Sequence, residues 1–102
     1  MPVEPTLDDF DSLANWQRHG DALAGGSLSR TLVFRSFRAA FAFMTDVAEL
    51  AESQDHHPDW SNRYNRVSVS LTSHDVKGLT LRDIALARGI DALAETHGAR
   101  AP

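Results

Sequence analysis

Residues 37–60, FRAAFAFMTDVAELAESQDHHPDW, contain the clearest helix signal in the chain, followed by the signal that ends it. Ser36 can cap this helix, while Pro58 prevents its continuation and favours an extended conformation at His57. The pattern therefore predicts a helix over about 37–54. Its apolar residues recur at three- and four-residue steps, which predicts a stripe that faces the core: Phe37, Ala40, Phe41, Met44, Val47, Ala48 and Ala51.

Two strands are predicted directly after this helix. Val67, Val69 and Leu71 alternate with serine and threonine, which is the period-two pattern of a half-buried strand. Residues 61–64 are predicted to form a shorter strand before it, with a turn near Asn65. The two strands would then form an antiparallel hairpin.

The last helix is predicted from its capping residues. Thr80 and Asp83 have the spacing of a capping box, in which the acidic side chain bonds back to the backbone of the capping residue. A loop over 73–79 precedes this helix, which is predicted to run to about His97. Residues 98–102 are expected to be loose.

The first third of the chain has weaker patterns. Apolar residues at helical spacing predict a short helix there, and glycine-rich punctuation predicts a hairpin after it. The predicted elements are a loose arm at 1–6, a helix at 7–18 that stops at His19-Gly20, a strand at 21–24, a turn at Gly25-Gly26 and a strand at 29–35.

The predicted order of elements is α-β-β-α-β-β-α within a single domain over 1–102. Hairpins between helices predict an α+β, two-layer fold, with a four-stranded antiparallel sheet and helices packed on one face. The other face of the sheet then has no helix of the same chain on it. A second copy of the chain can cover such a face, so we expect an oligomer.

Composition narrows the class of protein. Apolar residues make up 42% and charged residues 24% of the chain, as in ordinary globular domains. The absence of cysteine excludes disulfides and thiolate chemistry and fits a cytoplasmic protein. A net charge of −4 argues against direct nucleic-acid binding. No apolar run approaches the roughly 20 residues of a membrane span, and we see no secretory signal.

Three of the five histidines lie in two predicted loops. His56 and His57 precede Pro58, and His74 lies between Ser73 and Asp75. Histidine can give or take a proton near neutral pH, and loops on a rigid scaffold can present it to a small molecule. The pattern therefore predicts proton transfer on a flat, polar substrate.

Other interpretations of these residues remain open on the pattern alone. The adjacent histidines can be solvated residues beside a helix C-terminus. A three-histidine metal site is disfavoured because no i, i+4 pair lies on one helix. Asp83 can be a helix cap as much as a site residue, and Glu52 can lie on a solvated helix face. Trp60 is expected to pack against the core.

In combination, these segments resemble the pterin-4a-carbinolamine dehydratase family, also described as a dimerisation cofactor of a homeodomain transcription factor. The resemblance covers about Trp16 to Ala94. It is carried by Phe34, Ala42-Phe43-Met44, Glu52-Ser53-Gln54-Asp55-His56-His57-Pro58-Asp59-Trp60, Asn62, Tyr64-Asn65, Val67, Leu71-Thr72-Ser73-His74, Gly78-Leu79-Thr80 and Asp83.

The resemblance implies an activity. The family removes water from 4a-hydroxytetrahydropterin and releases a quinonoid dihydropterin, which recycles the cofactor of aromatic amino-acid hydroxylases. It implies a pterin substrate, no metal or organic cofactor, a homodimer or homotetramer, and a hydroxylase or other protein as a further partner. Rival functions are a non-catalytic assembly or transcription-coactivator module on the same scaffold, or a pterin protein of molybdenum-cofactor metabolism.

The resemblance also implies site residues. The implied catalytic residues are His56, His57 and His74. The implied substrate-binding residues are Glu52, His56, His57, Pro58, Ser73, His74, Asp75, Val76 and Asp83. The chain departs from the family pattern at two positions. Ser73 stands where threonine is common, and little effect is expected because a hydroxyl is kept. Lys77 stands where a small residue is usual, and it can narrow the cleft mouth or alter binding there.

Roles within this set follow from the chemistry. Loss of water at C4a needs a proton for the leaving hydroxyl and removal of a proton from N5. We hypothesise that His56 and His74 share these roles, while His57 mainly binds the pterin. A carboxylate would fix the imidazole tautomer, and the candidates are Asp55, Asp75 and Asp83.

Overall fold

The computed structural model describes residues 13–21, 24–75 and 78–102. These ranges contain a four-stranded antiparallel sheet and two helices, which confirms the predicted α+β class. No helix within the described ranges is long and apolar enough to cross a membrane. The elements are β1 (Gln17–Asp21), β2 (Ala24–Val33), α1 (Phe37–Gln54), β3 (Asp59–Arg63), β4 (Arg66–Leu71) and α2 (Leu81–Thr96).

The sheet has the strand order β1-β2-β4-β3. Leu28 of β2 lies opposite Leu71 of β4, and Leu32 lies opposite Val67, so these four side chains point to the same face. All four are completely buried and belong to the core shared with the helices. The alternate positions carry partly exposed or exposed hydroxyl residues, of which the Thr31 and Ser68 side chains bond across the strands at 3.2 Å.

Helix α1 has the predicted bounds and is capped as predicted. The Ser36 hydroxyl accepts a hydrogen bond from the Ala39 N–H at 3.1 Å. The predicted core stripe, however, is partly wrong. Phe41 is 56% and Phe37 47% exposed, whereas Phe43 is completely buried.

Contacts across the core determine which phenylalanine of α1 is buried. Phe43 packs on Phe34, with 4.9 Å between the ring centroids. Because apolar residues occur nearly all round this helix, periodicity alone did not select the buried face. The buried residues of α1 are Ala40, Phe43, Val47 and Ala51.

The prediction for the first hairpin needs correction. The first half of the predicted helix at 7–18 lies outside the described residues, and in the second half Gln17 and Arg18 belong to β1 rather than to a helix. Gly20 does adopt a left-handed conformation, with φ of 71°, but at an irregularity of strand pairing rather than at a helix end. The glycines of the predicted turn at 25–26 lie within β2.

The end of the chain is paired rather than loose. After α2, Gly98 adopts a left-handed conformation, which reverses the chain. Arg100 then forms an antiparallel bridge with Val33, with N···O distances of 2.8 and 2.9 Å. This bridge extends the pairing of β2 beyond the four strands.

Candidate active site

The first two site histidines follow directly from the way α1 ends. Asp55 adopts a left-handed conformation, with φ of 49°. The N–H groups of Asp55 and His56 then bond to the last carbonyls of the helix, at Glu52 and Ala51. The chain leaves the helix in an extended conformation toward β3, so His56 and His57 point in different directions.

His56 points inward and forms a buried pair with a carboxylate of the other helix. Its Nε2 lies 2.7 Å from Oδ1 of Asp83, which is the third residue of α2. The imidazole is 9% exposed and the carboxylate is not exposed at all. A buried carboxylate is tolerated when its lone pairs are bonded. The pair therefore joins the end of α1 to the start of α2.

The second carboxylate oxygen of Asp83 accepts two further hydrogen bonds. Its Oδ2 accepts from the Ser73 hydroxyl at 2.7 Å and from the Thr80 N–H at 3.0 Å. The latter bond is half of the capping box, which is confirmed. Asp83 is thus both part of the cap of α2 and the hydrogen-bond partner of His56.

His57 points outward and pairs within its own neighbourhood. Its Nε2 lies 2.5 Å from Oε2 of Glu52, one turn back on α1. Both side chains are largely in solvent, at 56% and 76% exposure. Glu52 therefore lies on a solvated face of α1, as one interpretation of the sequence expects, and its carboxylate also contacts an imidazole.

His74 is joined to the same loop through a residue that was not among the predicted site residues. Its Nε2 lies 3.3 Å from Oδ2 of Asp59, the first residue of β3. Asp59 pairs with Ser70 near the end of β4, from which the chain continues to His74. The two-residue turn at 64–65 fixes which residues of β3 and β4 lie opposite each other. Counting back from that turn along both strands therefore predicts that Asp59 lies beside the end of β4.

The three imidazoles share one arrangement. In each, Nε2 faces a carboxylate, and an ionised carboxylate only accepts hydrogen bonds. A neutral ring that donates from Nε2 to an ionised carboxylate keeps a lone pair on Nδ1. His56 Nδ1 makes no hydrogen bond to a described residue.

The remaining predicted residues have varied positions. Of the three carboxylates expected to fix a tautomer, only Asp83 bonds to an imidazole among the hydrogen bonds of the described residues. Asp55 instead closes α1 through its backbone. The Asp75 carboxylate accepts two hydrogen bonds from Nη2 of Arg82, at 2.7 and 2.9 Å. Trp60 packs against the core as predicted. Pro58 is partly exposed beside the histidines, while Val76 and Lys77 lie outside the described residues.

Within 13–21, 24–75 and 78–102, no three histidine, aspartate or glutamate side chains are grouped as metal ligands would be. The geometry that is present suits movement of protons instead. A neutral Nδ1 can accept a proton and a protonated one can donate it, with the carboxylate holding the ring in place.

Comparison with known proteins gives consistent results. The model of the pterin 4 alpha carbinolamine dehydratase family matches residues 4–93. A protein of Rhizorhabdus wittichii, provisionally named pterin-4-alpha-carbinolamine dehydratase, is 48% identical over 100 residues, which cover 93% of this chain and 100% of that protein. A protein of Thermomicrobium roseum with the same provisional name is 54% identical over 85 residues, or 83% and 86% of the two chains.

Two solved structures share the fold. A transcriptional coactivator/pterin dehydratase from Brucella melitensis superposes with a TM-score of 0.77 and 39% identity, covering 85% of this chain and 89% of that one. A pterin dehydratase-like protein identified as a RuBisCO assembly factor in the alpha-carboxysome gives a TM-score of 0.66 and 25% identity, covering 78% and 89%. The family match over most of the chain, together with these relatives, means that the chain belongs to the pterin 4-alpha-carbinolamine dehydratase family.

Proposed function

We propose that this protein catalyses the dehydration of a 4a-hydroxytetrahydropterin to the quinonoid dihydropterin. The C4a–O bond breaks, the hydroxyl leaves as water with an added proton, and N5 loses its proton, so no oxidant or reductant is needed. The observation that supports this most is the set of three imidazole–carboxylate pairs around residues 55–59. Each positioned acid or base typically contributes about 10²–10⁴-fold to such a step.

The arrangement supports distinct roles for the three histidines. His56 is held by a buried carboxylate, so its Nδ1 has a fixed direction. His74 lies on the opposite loop and is 78% exposed, which leaves it free to adjust to the substrate. We assign the acid and base roles to these two residues. His57, beside Glu52, would mainly bind the pterin ring.

The proposed binding set divides by exposure. Glu52, Pro58 and Asp75 are at least partly exposed and can contact a substrate. Ser73 and Asp83 are completely buried and already bond to each other. Their burial supports a positioning role behind His56 rather than direct contact with the pterin.

A stopped-flow assay of 4a-hydroxytetrahydropterin loss tests this function. The native protein should accelerate the reaction, and the double variant His56→Ala/His74→Ala should lose at least about 10²-fold of that acceleration. His97→Ala is the matched control, because it removes an imidazole at the far end of α2, where His97 pairs with Asp46. A folded native protein with no acceleration, or a double variant as fast as the control, would refute the proposal.

The remaining features of the proposal concern the cellular setting. The dehydration requires no metal or organic cofactor, so activity should survive a chelator. The product would return to an aromatic amino-acid hydroxylase through a cytoplasmic reductase step. A hydroxylase encoded beside this protein in its genome would support that setting, whereas a genome without any pterin-dependent hydroxylase would contradict it.

A protein-binding role is a second candidate, because α1 has an exposed apolar surface. Phe37 and Phe41 lie 5.8 Å apart by ring centroid and are about half exposed. Another copy of the chain or another protein would cover them, as the coactivator and assembly-factor relatives suggest. Light scattering after chromatography should give a dimer or tetramer for the native protein. The variant Phe37→Ser/Phe41→Ser should shift toward monomer, and an unchanged mass would exclude this surface as the interface.

A further inference from the structure

A cleft lies at the beginning of α1, far from the candidate active site. An 18-residue helix is roughly 27 Å long, so the cleft and the Glu52–His57 pair are at opposite ends of α1. Its volume is about 470 Å³, which is within the range of small-molecule sites. Its charged and polar lining includes Arg35, Ser36, Arg38, His97 and Arg100.

Three separate segments bring arginines to this cleft. Arg35 lies in the bend between β2 and α1, and Arg38 lies in the first turn of α1. Arg100 arrives from the end of the chain, because its backbone pairs with Val33, two residues before Arg35. The bridge that holds the chain end is therefore also what completes the group of cations. We call this site the arginine cleft.

The charges of the arginine cleft are not neutralised within the described part of the chain. Neither an ion pair nor a side-chain hydrogen bond is formed by any of the three guanidinium groups there. By contrast, Arg30 pairs with Asp91 and Arg82 with Asp75. The nearby carboxylate of Asp46 is held by His97 at 2.7 Å. Three uncompensated cations in one concave site are unusual in a chain whose net charge is −4.

We propose that the arginine cleft binds a phosphate group, as free phosphate or as the monoester of a small molecule. Guanidinium groups bond to phosphate in a bidentate way, with more geometric specificity than lysine would give. The Ser36 oxygen already accepts from the Ala39 N–H, so its own proton is available to a phosphate oxygen. The acidic net charge opposes extended nucleic acid as the ligand, whereas a single phosphate needs only this local field.

Titration calorimetry with two probes tests the proposal. Inorganic phosphate and phenyl phosphate would be titrated into the native protein at constant ionic strength, with chloride as the balancing anion. Saturable binding is expected for at least one of them. A lower Kd for inorganic phosphate assigns the site to the free ion, and a lower Kd for phenyl phosphate assigns it to a monoester; either supports the proposal.

A matched pair of variants locates the binding. Arg35→Ala/Arg38→Ala should weaken phosphate binding by at least about tenfold, since charge-assisted bonds are lost. Arg63→Ala/Arg66→Ala removes the same charge from an exposed cross-strand pair and should change Kd by less than about twofold. Both pairs are exposed, so both variants should fold, which circular dichroism would check. No saturable binding, or equal losses in the two variants, would overturn the proposal.

The site is independent of the proposed dehydratase. The Arg35→Ala/Arg38→Ala variant should keep the native rate of pterin dehydration, because both arginines lie at the opposite end of α1 from His56 and His57. A protein that binds phosphate but does not dehydrate pterin, or the reverse, would separate the two proposals.

Discussion

The buried His56–Asp83 pair and the exposed His57–Glu52 pair contain the same two chemical groups, but they are built into the fold differently. The first joins the two helices, and its carboxylate also bonds to Ser73 and Thr80. The second spans one helical turn in solvent. Because the first pair is buried, breaking it should lower the free energy of unfolding strongly. The second pair is exposed and contributes little to stability, so its side chains can rearrange around a ligand. The site thus combines a buried imidazole with exposed ones.

The largest effect of this difference is expected at Asp83. Asp83→Ala removes the acceptor for His56, Ser73 and the Thr80 N–H, all of which are buried. Breaking such a buried pair typically destabilises a protein by about 3–5 kcal/mol. Urea unfolding monitored by circular dichroism should show a loss of this size. Glu52→Ala is the exposed counterpart, and a loss at Asp83 no greater than at Glu52 would contradict the comparison.

A smaller loss of stability is expected at Ser73, which bonds to Asp83 rather than to the imidazole itself. Ser73→Ala leaves Asp83 with two donors instead of three and leaves Thr80 Oγ1 without its 2.9 Å partner. Unsatisfied buried groups of this kind cost about 1–3 kcal/mol. Urea unfolding of Ser73→Ala beside the exposed control Ser61→Ala measures this. A loss equal to that of the control would mean that the Ser73 hydroxyl does not support the network.

The smallest effect on stability is expected at the exposed histidines. His57→Ala and His74→Ala remove side chains that are 56% and 78% exposed. Surface changes of this kind usually alter the unfolding free energy by no more than about 0.5 kcal/mol. Both variants should nevertheless lower the dehydration rate. A destabilisation above about 2 kcal/mol at either position would show that the exposed pairs are structural.

Local patterns predicted the parts of the fold whose determinants are close in sequence. The Ser36 cap, the Thr80–Asp83 capping box and the alternation at 67–71 are each decided within a few residues, and the structure confirms them. The prediction for the first hairpin was wrong because a left-handed glycine can mark either the end of a helix or an irregularity in strand pairing. Gly20 lies at an irregularity in the pairing of β1 with β2.

Contacts between residues far apart in sequence determined which side chains are buried and which carboxylate each histidine meets. Phe43 rather than Phe41 faces the core because Phe34 packs on it. Likewise, the loop histidines were evident from the sequence, but not which carboxylate each one meets. His56 and Asp83 are 27 residues apart. Three carboxylates were equally plausible as the tautomer-fixing partner until the two helices were placed together.

The most direct test of the account replaces each carboxylate by its amide. Asp83→Asn and Glu52→Gln keep the shape of the side chain but can bind the wrong imidazole tautomer. Stopped-flow dehydration of 4a-hydroxytetrahydropterin should slow by at least about 10²-fold in Asp83→Asn and by less than about tenfold in Glu52→Gln, with both proteins folded. Native rates in a folded Asp83→Asn protein would contradict the claim that this buried carboxylate positions a catalytic histidine.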